Sequence, residues 1–152
     1  WTVRDCGAAW LRDCDIVAYN GVSSVTVQGW NSENGRQLFR TGGPSGASPP
    51  VTIEGCRFAS ARCEGPMIDY RFAGPLRVIG GLYSSWGSVP AFAASSPASV
   101  ELAGVFLETN AELPSRYAVL SGGKDCRSFG SRVTNTDGRS WNVPADPTKE
   151  VK

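Results

Sequence analysis

One pattern of apolar and polar positions recurs along the chain: apolar, any, apolar, any, glycine. It is carried by Val25-Thr-Val27-Gln-Gly29, Val51-Thr-Ile53-Glu-Gly55, Leu76-Arg-Val78-Ile-Gly80 and Val100-Glu-Leu102-Ala-Gly104, and more weakly by Cys126-Arg-Ser128-Phe-Gly130. The glycines recur every 24 to 26 residues, which is the signature of stacked repeats rather than of hairpins. Alternation with a period of two sends the first and third positions of each stretch to one face, as a one-sided strand requires. Val25, Val51, Leu76, Val100 and Cys126 thus form one inward column, and Val27, Ile53, Val78, Leu102 and Ser128 a second. The glycine marks the corner at which the chain leaves the strand.

The columns continue past the corner. Three residues after the glycine stand Phe58, Tyr83, Leu107 and Val133, an apolar set, and five residues after it Asn34, Ser60, Ser85, Thr109 and Asn135, a polar set. Small hydrogen-bonding side chains at a turn satisfy backbone groups that the corner leaves without partners. A third strand follows at a less constant offset, in Gln37–Thr41, Met67–Phe72, Ala91–Ala94 and Tyr117–Leu120, and turn-rich segments lead from it to the next repeat. The expected fold is all-β, a right-handed parallel β-helix of five to six coils of about 25 residues. Residues 1–136 form the helix. Gly7 and Trp10 fall on the glycine and aromatic columns, and Asp5 would then point inward, so residues 1–24 are expected to be an irregular first coil. Residues 137–152 break the pattern and are expected to cap the open end or reach a neighbouring chain.

Composition narrows the chemistry. The 152 residues carry 15 Lys and Arg against 14 Asp and Glu, so no diffuse field draws in nucleic acid or an anionic membrane, and neither is an expected partner. The absence of histidine removes Ser/His/Asp and Cys/His catalysis, and no glycine-rich phosphate loop occurs. The five cysteines contain no CxxC, and no metal or cofactor is expected. Cys6 with Cys14 and Cys56 with Cys63 have the spacing of two local bridges in an oxidising compartment; the same residues read equally as small buried hydrophobes.

On the outward face of the first sheet, Glu54 and Glu101 lie two coils apart, about 10 Å from the strand spacing, a separation within reach of a two-carboxylate glycosidase. Arg77 lies beside them as a substrate-binding or basic group. The competing reading stacks Thr52, Arg77, Glu101 and Arg127 as alternating charges on neighbouring strands. On the third strand Asp69 and Arg71 project outward, with Phe39 expected as a surface aromatic beside Asp69. Trp30 and Trp86, in or near turns, are candidates to stack on a sugar ring, to meet another copy of the chain or to cover the ends of a narrow core.

The Val-Thr-Ile-Glu-Gly-Cys-Arg-Phe58 coil, repeated over roughly residues 25–136, resembles the pectate-lyase-like right-handed β-helix superfamily, and Asn135-Thr-Asp-Gly138 is similar to the Asn-Thr-Asp-Gly motif of polygalacturonases. The remainder of that signature, an Asp-Asp pair, Gly-His-Gly and Arg-x-Lys, is missing, and Asp137-Gly138 reads as a turn. The resemblance implies binding of carbohydrate along an outer sheet face; the expected partner is a polysaccharide or cell-surface glycan, the expected setting an extracellular or virion-associated protein of the tailspike or fibre kind, and assembly as a homotrimer stays open. The resemblance leaves two functions open: a non-catalytic binding or structural module, or a polysaccharide lyase or glycoside hydrolase using Glu54, Glu101 or Asp69.

Overall fold

The structure, a computed structural model, describes residues 1–19, 21–42, 49–60, 63, 65–85, 90–109 and 117–152. Its described residues contain strands and turns and no helix. The strands in chain order are β1 (Thr2–Arg4), β2 (Gly7–Ala9), β3 (Cys14–Tyr19), β4 (Val25–Gln28), β5 (Asn31–Glu33), β6 (Gln37–Gly42), β7 (Val51–Glu54), β8 (Arg57–Ser60) and β9 (Ile68–Tyr70). They continue as β10 (Leu76–Ile79), β11 (Leu82–Ser85), β12 (Phe92–Ala94), β13 (Val100–Ala103), β14 (Phe106–Thr109), β15 (Leu120–Gly122), β16 (Cys126–Phe129), β17 (Arg132–Asn135) and β18 (Ser140–Asn142).

Every third strand stacks on its predecessor. The first sheet has the order β1-β4-β7-β10-β13-β16, the second β18-β17-β14-β11-β8-β5-β2 and the third β15-β12-β9-β6-β3, all parallel except for β18. The chain is therefore a β-solenoid with three stacked parallel sheets around one core. Register follows the glycine columns: Val51 lies beside Leu76 and Leu76 beside Val100, while Ile53, Val78 and Leu102 form the neighbouring row. These side chains are 0 or 1% exposed, and each contributes about 1.5–3 kcal/mol of transfer free energy on burial. Beyond the corner, Phe58, Tyr83, Leu107 and Val133 stack as a third buried row.

Two members of the polar row at the second corner, Ser60 and Asn135, bond to backbone groups as expected. Ser60 donates to the Gly35 carbonyl at 2.5 Å, and the Asn135 side-chain oxygen accepts from the amides of Asp137 and Arg139, both at 3.1 Å. Asn135–Arg139 is thus the turn between β17 and β18, with Gly138 at φ 78°.

Two details of the early coils differ from the repeat pattern. The first coil is in register, but two residues away from the alignment through Gly7. Thr2, Val3 and Arg4 pair with Thr26, Val27 and Gln28, so Asp5, at φ 49°, takes the corner that Gly29 takes in the next coil. Asp5 is exposed rather than inward, and Trp10 takes the second corner, at φ 59°. In β6, the amides of Leu38 and Phe39 both donate to the Met67 carbonyl, at 3.0 and 3.1 Å. This bulge places one extra residue in the strand and turns both side chains into the core, where each is 0% exposed.

The last residues close the C-terminal end by running backwards along the last coil. β18 pairs antiparallel with β17; the Ala145 carbonyl then accepts from Ser128, the Pro147 carbonyl accepts from Leu120, and the Val151 amide donates to Tyr117. An antiparallel bridge joins Ala118 to Glu150. Val143 and Val151 are buried and Trp141 packs on the core, so the tail covers both strand edges and apolar side chains.

Candidate functional site

Beside the first sheet lies an open groove of about 940 Å³. Its floor is the outward row of that sheet together with the turn that leads into β16, and the returning tail bounds it. Arg77, Glu101 and Arg127 supply the row, Lys124 and Asp125 the turn, and Asp146 the tail.

Strand register alone brings the row together, since Thr52, Arg77, Glu101 and Arg127 occupy the same position in β7, β10, β13 and β16. Glu101 is the centre. Its Oε1 accepts from Arg77 Nε at 3.1 Å and Nη2 at 2.9 Å, and its Oε2 lies 2.9 Å from Arg127 Nη2. The Glu101 side chain is 17% exposed and the two arginines are 55 and 66% exposed, so the guanidinium groups present unused donors to solvent. Hydrogen bonding from Arg77, and then the positive charge of both arginines, holds the Glu101 carboxyl below its ordinary pKa. Asp146 is lowered too, chiefly by hydrogen bonds from the Thr148 side chain and amide. Arg127 also lies 5.8 Å from the centroid of the Phe129 ring, which is 55% exposed.

The alternating-charge reading of this row is the one the geometry makes. Glu54 stands in a different row, beside Gln28 and Ile79, two residues further along its strand than Glu101 on its own. Two strand spacings and two residue rises put their backbones about 12 Å apart rather than about 10 Å, and Arg77 faces Thr52 on that side and Glu101 on the other. Asp69 belongs to the third sheet, a separate face. Its carboxylate is held by Arg71 at 2.7 Å, and the adjacent residue on β6 is Arg40, itself paired with Asp13 at 2.6 Å.

Phe39 is not a surface aromatic beside Asp69: the bulge in β6 buries it against Ile68 and gives the outward position to Arg40. Trp30 is half-buried against the core, and its indole N–H donates to Asp15 Oδ2 at 3.1 Å. Trp86 lies outside the described residues. No disulfide joins Cys6 to Cys14 or Cys56 to Cys63, and Cys56 and Cys63 are buried; burial pushes the Cys14 thiol up to about 11 and raises that of Cys56.

The structure adds Lys124, Asp125 and Asp146 to the groove, and the exposed Phe129 ring beside Arg127. Phe129 was readable as outward from its place before Gly130, but the return of the tail past the groove has no periodic signal. The chain matches no protein-family model, no curated protein and no solved structure.

Proposed function

We propose that the chain is a non-catalytic, carbohydrate-binding or structural module of an extracellular or virion-associated protein, and that a polysaccharide or cell-surface glycan lies in the groove beside the first sheet. The coil is taken as right-handed and pectate-lyase-like, the hand that parallel strands joined by crossovers adopt. The observation that carries the reading is the Arg77–Glu101–Arg127 row. It is a charge ladder whose arginines are more than half exposed, set on the floor of an open groove, with the exposed Phe129 ring beside Arg127. Sugar hydroxyl pairs match such planar donors, and the C–H face of a sugar ring matches the Phe129 ring.

Binding is favoured over cleavage by the same row. A glycoside hydrolase keeps one carboxyl protonated by a raised pKa, whereas Glu101 is held ionised between two cations and Glu54 stands in another row. Screening the purified chain against immobilised oligosaccharides of differing charge and linkage tests the reading. The expected result is retention of at least one glycan, weakened about tenfold or more in Arg77→Ala and Arg127→Ala, the loss of one charge-assisted contact. Retention unaffected by either substitution would place the glycan elsewhere.

A further inference from the structure

Along the glycine corner between the first and second sheets runs a strip that lies outside the groove lining. On the first sheet Glu54, Ile79, Ala103 and Phe129 stand in one row, each immediately before its glycine. On the second sheet Arg57, Leu82, Phe106 and Arg132 stand in another, each two residues after it. At Gly55, Gly80, Gly104 and Gly130, which separate the rows, a Cβ would meet open space. The middle of the strip is apolar: Phe106 and Phe129 are 50 and 55% exposed, and Ile79, Leu82 and Ala103 are partly exposed. Its two ends carry opposite charges. Neither Glu54 nor Arg132 forms an ion pair among the described residues, whereas Arg57 is held by Glu33 at 3.1 Å. All these positions face sideways on the third to sixth coils, so their exposure does not depend on what stands at either end of the solenoid.

We propose that this strip is the contact between two copies of the chain, related by a two-fold axis normal to the corner and midway between the fourth and fifth coils. Such an axis reverses the order of the coils and exchanges the two rows. It sets Ile79 of one copy against Phe106 of the other, Leu82 against Ala103, and the Arg57 guanidinium against the Phe129 ring, each contact occurring twice. Glu54 and Arg132 lie one and a half strand spacings, about 7 Å, to either side of the axis. Each free carboxylate therefore meets the free guanidinium of the other copy. This charge complementarity selects both the occupant and its direction. Copies running the same way, as about a three-fold axis along the solenoid, would set Glu54 beside Arg57, which Glu33 already holds, and would leave Arg132 against Phe129 with no carboxylate. The bare glycine column lets the two backbones approach closely. Phe129, beside Arg127 at the groove, is shared with the glycan reading; Phe106, Glu54 and Arg132 belong to this contact alone.

Sedimentation equilibrium of the whole chain over a range of concentrations is expected to give about twice 16.1 kDa. Phe106→Thr removes a half-exposed ring and keeps a strand-forming residue, and is expected to raise the dissociation constant about tenfold or more with unchanged circular dichroism. Glu54→Arg and Arg132→Glu are each expected to weaken association, and the two together to restore it, because each reversed charge again faces its opposite. A chain at 16.1 kDa throughout, a trimer, or a dimer indifferent to Phe106→Thr overturns the proposal. A double variant that associates no better than either single one overturns it as well. Dilution of the isotopically labelled chain gives a reading that needs no substitution: concentration-dependent amide shifts are expected at residues 79–82 and 103–106, and shifts confined to other segments also overturn it.

Discussion

At the scale of single residues, the corners show which part of a glycine is needed. Gly80 sits at φ 59°, and a Cβ built there would meet nothing within 4 Å, so the cost of a side chain is conformational rather than steric. Gly80→Ala is expected to cost about 1–2 kcal/mol in urea unfolding, and Gly80→Asn less, since Asn tolerates the left-handed region. Asp5 and Asn34 hold that region in this chain without glycine, which is why the repeat could be recognised from its glycines while the first coil was misaligned by two residues. Tyr83 offers the opposite case: its ring is wholly buried edge-on to Phe92, and its hydroxyl has no hydrogen-bond partner among the described residues. Tyr83→Phe removes a polar atom that gains nothing and is expected to leave stability unchanged or raise it by about 1 kcal/mol; a loss of that size would show that the hydroxyl has a partner.

At the scale of elements, strand register does most of the work, because parallel in-register stacking turns a sequence period into rows of touching side chains. The Arg77–Glu101–Arg127 row was legible from the sequence for that reason. The separate rows of Glu54 and Glu101 were legible too: one stands immediately before its glycine and the other three residues before, and the two-carboxylate reading counted strands without counting that offset. The bulge in β6 was less legible, since Leu38 and Phe39 adjacent in sequence break the alternation without showing which of them stays inside. The charge row has a pH signature. Because the folded Glu101 pKa is lowered, its pairing stabilises the fold above the ordinary carboxylate value of about 4.3 and is lost as pH falls through the lower folded value. Both arginines are more than half exposed, so Arg77→Ala is expected to cost only about 0.2–1 kcal/mol at neutral pH, with the gap to wild type closing in acid. A gap that widens as pH falls would contradict this assignment.

At the scale of the whole molecule, a solenoid gains its core by stacking and must then protect its ends. The tail does this for one end with Trp141, Val143 and Val151, and nothing in a 25-residue period announces it, because a reverse coil follows the last repeat without resembling it. Deleting residues 140–152 is expected to cost on the order of 3–6 kcal/mol, from the apolar side chains returned to water, to lower the melting temperature and to promote association through the uncovered edges. An unchanged melting temperature would mean that the last coil is stable uncovered. The stacked strands also hold the groove floor rigid, so bound glycan should be reported by backbone amides of a few known segments. The most direct measurement is an amide chemical-shift titration of the isotopically labelled chain with a glycan retained in the oligosaccharide screen. Shifts confined to Leu76–Ile79, Val100–Ala103 and Cys126–Phe129, with the turn and tail beside them, are the predicted result; saturation with shifts on the third sheet, or with none along the Arg77–Glu101–Arg127 row, would contradict the account.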